Sequence, residues 1–552
     1  MKRSAEEASL LVDSTAASSV AAPCTSDATL HCVSMIASSA STSLMSTSHH
    51  HMSSSSLSSS TTKSTNNNNN QTFLTRFINA RLLQRDGSLE RGELTVDSST
   101  GIIIQIRFDS QQSLQDNTDN NIDHNQQISH TVDCRGMILS PGFIDIQLNG
   151  AYGIDFSNGG CEDDFDDDDS AVIDNSNNNS GLCIHDIFQV ATSLCQSGVT
   201  SFCPTMVSSS RDTYRRVLPL IRNARRQQQQ QLQQQQQRDN TKIGANILGM
   251  HLEGPFFDPS KRGAHDERHI LAPSKGIDTV KEVYGLNQVQ EKENDNDVDY
   301  SSPMLEDIDI ITLAPELDGA LDATKSLTQP SASERNVIIS CGHTGATYEE
   351  GLQAISHGAT LLTHLFNAMN PFHHRKPGLV GLLSSKSKLA SMGHKRPYFS
   401  LIVDGIHVHE SAVSMAYNSH PNGCVLVTDA MSAMGLGDGI HALGDMSVNI
   451  KGDRATLTGT DTLAGSVVSM DTCVRRFRKF TNCSIGEALL CATLHPANVL
   501  NRSVMRERAT DEAPIGVLEI GARADLVVVT DELDVVATWI NGKIAYDGRK
   551  LL

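Results

Sequence analysis

Eight short apolar runs, each rich in Ile, Val and Leu and each ending on a small or polar residue, recur from residue 141 onward. They are "GFIDIQLNG" (142–150), "VTSFCPTM" (199–206), "NILGMHLEG" (246–254), "IDIITLAPE" (308–316), "NVIISCGHT" (336–344), "GATLLTHLFN" (358–367), "YFSLIVDGIH" (398–407) and "CVLVTDAM" (424–431). Nearly continuous apolarity suits strands covered on both faces, as in a parallel sheet under helices. The stretches between are long enough for crossover helices. "GLCIHDIFQVATSLCQSG" (181–198) and "ATYEEGLQAISHG" (346–358) have helical spacing and finish on Gly. Eight parallel strands alternating with helices predict an α/β chain folded as a (β/α)8 TIM barrel.

The flanks carry a different pattern. "GIIIQIRF" and "MSVNIKGDRATLTG" are short strand-like pieces, and the stretch "GARADLVVVTDELDVVATWINGKIAYDG" reads as a strand, a turn and a hairpin with Asn541-Gly542 at its tip. The expected division is a barrel over 139–440 and a small flanking β domain built from both chain ends, 71–138 and 506–552. Residues 441–465 supply strands connecting that domain and the barrel, and 466–505 two helices that close the barrel. Residues 1–70, mostly Ser, Thr, Asn and Ala, cannot bury enough apolar surface to offset their ordering entropy and read as a disordered tail. Inserts at 111–127, 161–180, 227–237 and 286–300 are of low complexity and read as surface loops.

Those inserts bear on the charge. The formal net charge of the 552 residues is −20, and seven carboxylates fall within 161–170 and five within 291–300, against one lysine. An acidic chain is a poor match for nucleic acid or an anionic membrane surface. The twelve cysteines include no CxxC pair, which suits free thiols in a reducing compartment. There is no apolar run of transmembrane length and the N-terminus makes a poor secretory signal, so the expected location is cytoplasmic.

In a barrel of this kind chemistry gathers at the C-terminal ends of the strands. Polar, titratable residues recur there: Asp145, Gln147 and Asn149 on the first strand, His251 and Glu253 on the third, His343 on the fifth, His364 on the sixth, Asp404 and His407 on the seventh, Asp429 on the eighth. Glu253, His343 and His364 have the composition of a catalytic zinc site, one carboxylate and two imidazoles with an open position. Each has a plainer reading as well. His343 in "CGHTG" could be a hydrogen-bonded loop residue, Glu253 a turn cap, Asp429 a helix N-cap, and His407 and Arg375 solvated surface groups. What favours metal is the joint pattern, every candidate falling on the same edge. "GLGDG" (435–439) lacks the strand–helix context of a dinucleotide fingerprint and reads as a plain loop.

The motifs "PGFIDIQLNG", "GMHLEGPFF", "KRGAHD", "TLAPE", "CGHTGAT", "THLFNAMNPFHHRKPGLVG", "VDGIHV", "LVTDAM", "LAGS" and "HPANVLN" resemble, in order and spacing, the amidohydrolase superfamily, and within it the deacetylases of N-acetylglucosamine 6-phosphate. The resemblance covers roughly residues 72–552 apart from the inserts. It implies hydrolysis of that sugar phosphate to glucosamine 6-phosphate and acetate, a (β/α)8 barrel with the flanking domain formed as a β-sandwich, and a homodimer. It also implies one divalent metal ion per subunit, held by Glu253, His343 and His364. Zinc is the expected ion, although iron, cobalt and manganese also accept such ligands. Many amidohydrolases carry His-x-His after the first strand as half of a two-metal centre. Here those second-metal positions hold Gln147 and Asn149, neutral amides that are poor ligands.

By the same resemblance Asp429 is the general base, taking a proton from the attacking water and delivering it to the leaving amine. His265 contacts the sugar or the carbonyl and helps hold the developing oxyanion. Asn367 and Ala368 hold sugar hydroxyls. Arg375, eleven positions after His364, and His407 take the phosphate, with some of these contacts crossing between subunits. His373 and His374 have no assigned role. The rival readings are an amidohydrolase for another amide or cyclic amide, which would not need Arg375 and His407, and a catalytically dead homologue, which typically loses the metal ligands present here.

Overall fold

The computed structural model describes residues 73–110, 127–159, 181–234, 244–286, 305–329, 336–444, 446–505, 513–549 and 551. The Ser/Asn-rich tail and the inserts at 111–126, 161–180 and 287–300 lie outside them. The chain opens with β1 (Phe73–Leu83), β2 (Leu89–Asp97), β3 (Ile102–Phe108), β4 (Gln127–Asp133) and β5 (Ile138–Pro141). β1 is the hub, antiparallel to β2 and parallel to β4 and β5.

The barrel follows. Its elements are β6 (Phe143–Leu148), a small hairpin of β7 (Gly150–Ala151) and β8 (Ile154–Asp155), α1 (Ile184–Leu194), β9 (Val199–Met206), α2 (Arg211–Gln234), β10 (Asn246–Ile247), β11 (Met250–Glu253), α3 (Ile277–Tyr284), β12 (Ile308–Leu313), α4 (Ala320–Thr328), β13 (Ile338–Cys341), α5 (Tyr348–Ser356), β14 (Leu361–Leu362), α6 (Lys386–Ser391), β15 (Tyr398–Ile402), α7 (Glu410–Ser419) and β16 (Cys424–Val427). Parallel pairing runs from β6 to β9, β11, β12, β13, β14, β15 and β16. A parallel bridge between Leu148 and Ala430 joins the last strand to the first. The expected (β/α)8 barrel is therefore present with all eight strands.

Two details depart from the plain repeat. The third strand is broken between β10 and β11 because the Asp309 carboxylate pushes under it: Gly249 donates its N–H to Asp309 Oδ2 at 2.9 Å, and a Cβ at Gly249 would stand 2.5 Å from Asp309 Cγ. The glutamine run read as a loop over 227–237 instead continues α2 as far as Gln234. Gln228 is buried there. Its amide donates to Ala245 O at 2.9 Å and accepts from Ile247 N at 2.8 Å, so it finishes the hydrogen bonding of β10. Removing that amide strands two buried backbone groups, and an unsatisfied buried group costs about 1–3 kcal/mol. Gln228→Ala should lose stability in that range in a denaturant melt, and Gln230→Ala, on the exposed face, almost none.

Beyond the barrel, β17 (Gly439–Leu443), β18 (Met446–Lys451) and β19 (Arg454–Leu457) form their own antiparallel sheet. Sequence alone groups this stretch with the flanking strands, yet among the described residues no strand pairing joins the two. The chain has just left β16 at the mouth of the barrel, and the new sheet packs there, with Leu443, Val448, Ile450 and Ala455 against Val207 and Met431. Three helices follow where two were expected: α8 (Met470–Thr481), α9 (Ile485–Leu490) and α10 (Leu494–Val499). Pro496, with no N–H to donate, sits in the first turn of α10 and favours a fresh start there.

The chain ends with β20 (Leu526–Val529), β21 (Val535–Ile540) and β22 (Lys543–Asp547). β20 pairs with β5 and with β21, so the first and last strands belong to one sheet. Trp539 on β21 is buried edge-on against Phe77 on β1, their rings 5.0 Å apart. Asn541 (φ 48°) and Gly542 (φ 73°) make the expected two-residue turn.

Candidate metal centre and active site

The barrel brings Glu253 from the end of β11 together with His343 and His364 from just beyond β13 and β14. One ligand atom from each lies within 4.8 Å of the others, and all three side chains are buried. Glu253 Oε1 is 3.3 Å from His343 Nε2 and 3.1 Å from His364 Nε2, and the two imidazole nitrogens are 3.0 Å apart. His343 Nδ1–H donates to Lys261 O at 3.0 Å, which leaves the Nε2 lone pair turned inward. Loop hydrogen bonding, the plainer reading of His343, thus coexists with its place in the triad.

Charge in the site is lopsided. Burial works against the Glu253 charge, but the neighbouring His343 and His364 imidazoles hold its carboxyl well below the usual range. Burial alone would push His364 down, yet Glu253 and Asp429 raise it. Two buried carboxylates around converging imidazoles call for a positive charge. The three residues therefore fit a divalent cation by donor type, by convergence and by charge.

Asp429 stands beside them. It has φ 47°, its carboxyl is buried, and turn residues rather than a helix follow it, so it is not a helix N-cap. Burial and the negative charge of Glu253 push its carboxyl up to about 7. Its Oδ1 accepts from Asn149 Nδ2 at 2.8 Å and from Gln147 Nε2 at 3.2 Å, and Gln147 Nε2 also donates to Glu253 Oε1 at 2.8 Å. Gln147 and Asn149 are thus donors in use: one amide links the two carboxylates and the other steadies Asp429.

His265 is fixed more sharply. Its Nδ1 accepts from the Ser208 backbone N–H at 3.1 Å, so the ring proton is on Nε2. Burial first, then the nearby His343, lowers its pKa to about 3, and the ring is neutral. A neutral imidazole with its N–H turned to a pocket is the donor an oxyanion needs. Asn367, Ala368 and His407 line the same cavity of about 160 Å³ as His265, the triad and Asp429. His407 Nδ1–H donates to Asp404 Oδ2 at 2.6 Å.

Backbone strain is concentrated here. His343, His364, Phe366, Ala368 and Asp429 all have positive φ, a conformation costly for non-glycine residues and held only where surroundings dictate it.

Arg375 is not brought to the pocket of its own chain. It is exposed, with its backbone N–H on His373 Nδ1 at 3.3 Å and its guanidinium on His374 Nε2 at 2.8 Å. Sequence reasoning missed Ser208, which sets the His265 tautomer, and the Lys261 carbonyl, which sets that of His343. Neither has a signal of its own, since one acts through a backbone N–H and the other through a backbone oxygen.

The amidohydrolase family profile matches residues 138–545. An N-acetylglucosamine-6-phosphate deacetylase of Danio rerio is 37% identical over 471 residues, 85% of this chain and 96% of its own. The enzyme of that name from Homo sapiens is 39% identical over 415 residues, 75% of this chain and 85% of its own. Among solved structures, the deacetylase of Thermotoga maritima superposes with a TM-score of 0.62 at 25% identity, covering 86% of this chain and 99% of its own. A mutant from Mycobacterium smegmatis, solved in complex with N-acetyl-D-glucosamine-6-phosphate, gives the same TM-score, identity and coverage. Fold, motif order and these likenesses agree: the chain belongs to the amidohydrolase family of metal-dependent hydrolases and, within it, to the N-acetylglucosamine-6-phosphate deacetylases.

Proposed function

We propose that the protein hydrolyses N-acetylglucosamine 6-phosphate to glucosamine 6-phosphate and acetate. The observation that carries this is the convergence of Glu253, His343 and His364 on one point of a pocket that also holds Asp429 and the neutral His265. A divalent cation held by the triad, for which zinc is our choice, supplies a Lewis acid that polarises the acetamide carbonyl and acidifies water.

The rest is work for the chain's own side chains. The hydrogen bonds that Gln147 and Asn149 donate to Asp429 both end on Oδ1, and Oδ2 is the oxygen that accepts the proton as water adds to the carbonyl carbon. Asp429 then gives that proton to the nitrogen as the C–N bond breaks, so glucosamine 6-phosphate leaves as a neutral amine with acetic acid, which ionises to acetate by releasing its proton to solvent. His265 Nε2–H donates to the carbonyl oxygen while it carries charge. Asn367 and the backbone of Ala368 hold sugar hydroxyls, and His407, steadied by Asp404, takes the phosphate.

Arg375, exposed on its own chain, reaches the phosphate of a second copy, which makes the working form a homodimer. Free thiols throughout the described residues suit a cytoplasmic setting. No helix among the described residues is long and apolar enough to cross a membrane.

The test is acetate release from the phosphorylated and unphosphorylated sugars, with metal analysis of the same protein. One ion per chain and a strong preference for the phosphate ester are expected. Equal rates on the two sugars would overturn the substrate assignment. Arg375→Ala should raise KM for the phosphorylated sugar about 10-fold or more, since a hydrogen bond to a charged group contributes roughly 1.5–3 kcal/mol. Unchanged KM in that variant would remove Arg375 from the site.

A further inference from the structure

The pocket lining is unevenly polar. Asn367 and Ala368 follow β14 and His407 follows β15, so two polar side chains line this side; across from them the polar group is His265, held by Ser208 next to Val207. Val207 follows β9, which stands opposite β14 in the ring of eight strands. Leu443 and Met446, paired directly across the end of the β17–β18 hairpin, and Leu463 just beyond β19 complete an apolar wall with Val207.

The wall is held from behind. The Gly444 N–H donates to the Asp155 carboxylate, and a Cβ on Gly444 would meet Val207 Cγ2 at 3.3 Å, so the hairpin end rests on Val207. Leu463 is bridged to Thr456. Val207 and Leu443 are buried, whereas Met446 and Leu463 are half-buried at the cavity.

We propose that this wall is the acyl subsite: it receives the methyl group of the acetamide and limits the length of acyl chain the enzyme removes. The inference rests on the proposed deacetylation. A substrate of hydroxyls, a phosphate and one acetamide places its polar ring toward Asn367 and His407, and the acetamide turns to the opposite face, with its oxygen to His265 and its methyl to the apolar wall. A wall braced by Asp155 and Val207 yields little to a longer chain. One methylene in an apolar pocket is worth roughly 10–200-fold in specificity, so N-propionylglucosamine 6-phosphate should be cleaved about tenfold less efficiently than the N-acetyl compound or worse.

The experiment measures amine release from N-acetyl-, N-propionyl- and N-butyrylglucosamine 6-phosphate by the full chain, by Met446→Ala and by Leu463→Ala. The readout is the propionyl-to-acetyl ratio of kcat/KM, in which a general loss of activity cancels. At least one variant should raise that ratio about tenfold. If the unaltered protein cleaves acetyl and propionyl substrates equally well, the subsite is overturned whether or not the variants fold. A ratio unmoved in both variants overturns it too and leaves deacetylation standing. Inactivity of the unaltered protein on all three compounds overturns the deacetylation and the subsite together.

Discussion

Replacing Asp429 by asparagine is expected to lower kcat/KM on N-acetylglucosamine 6-phosphate by about 10²–10⁴-fold, the range a positioned acid–base group supplies. Asparagine has nearly the same shape, and Asn149 and Gln147 can still donate to its oxygen. What is lost is the capacity to hold a proton between two steps. Burial and the charge of Glu253 raise the Asp429 carboxyl toward 7, and a cation on the triad pulls it down again. The ionised form is the base, so kcat/KM should fall as pH drops through that pKa, with the acid limb at or below 7, and the limb should be missing from the asparagine variant. The measurement is a pH–rate profile of both proteins with their metal content matched. A loss smaller than tenfold, or an unchanged acid limb, would take the proton shuttle away from Asp429.

The second large effect concerns the triad. His364→Ala and Glu253→Gln should each abolish stable metal binding and bring hydrolysis to background. Losing an outer-shell partner of a metal ligand costs about 10–100-fold in affinity, and losing a direct donor costs more. The two substitutions differ in what they leave behind. His364→Ala leaves Glu253, 2% exposed, with one imidazole partner instead of two, and an undercompensated buried charge is destabilising. Glu253→Gln removes that charge and keeps the volume. Metal content by elemental analysis, acetate release and a thermal melt together separate the effects. A variant that keeps one ion per chain and full activity would sink the three-ligand reading. Melting behaviour unchanged in His364→Ala would count only against the charge argument.

Much of this was legible in the sequence, and the reason is local. Each barrel strand is buried on both faces, so its apolar run is unbroken, and a residue such as His364 stands out as polar at the end of "ATLL" even though β14 is only Leu361–Leu362. Long-range hydrogen bonding leaves no such mark. Nothing in "MILSP" shows that Leu139 and Ser140 pair with Val528 and Val527, nor does "MSVNIKGDRATLTG" reveal that it roofs the pocket instead of joining the flanking sheet. Gln228 was illegible for another reason: a glutamine among glutamines looks solvated, and only the close approach of β10 gives that one amide its two backbone partners. Gln147 could be read as a missing metal ligand, but that it links Glu253 to Asp429 follows only from closure of the barrel between the first and last strands.

The sheet shared by β5 and β20 also sets an order of events during synthesis. A ribosome releases β1–β5 while residues 142–525 are still to be made, and at about 5–20 residues per second the delay is on the order of 20–80 s. Until β20 arrives, the edge of β5 has no permanent neighbour, and an open edge invites pairing with other nascent chains. Production in a slow-translating host should therefore favour aggregates. Faster translation, or a chaperone that shields the waiting strands, should raise the yield of enzyme without any change in the stability of the finished fold.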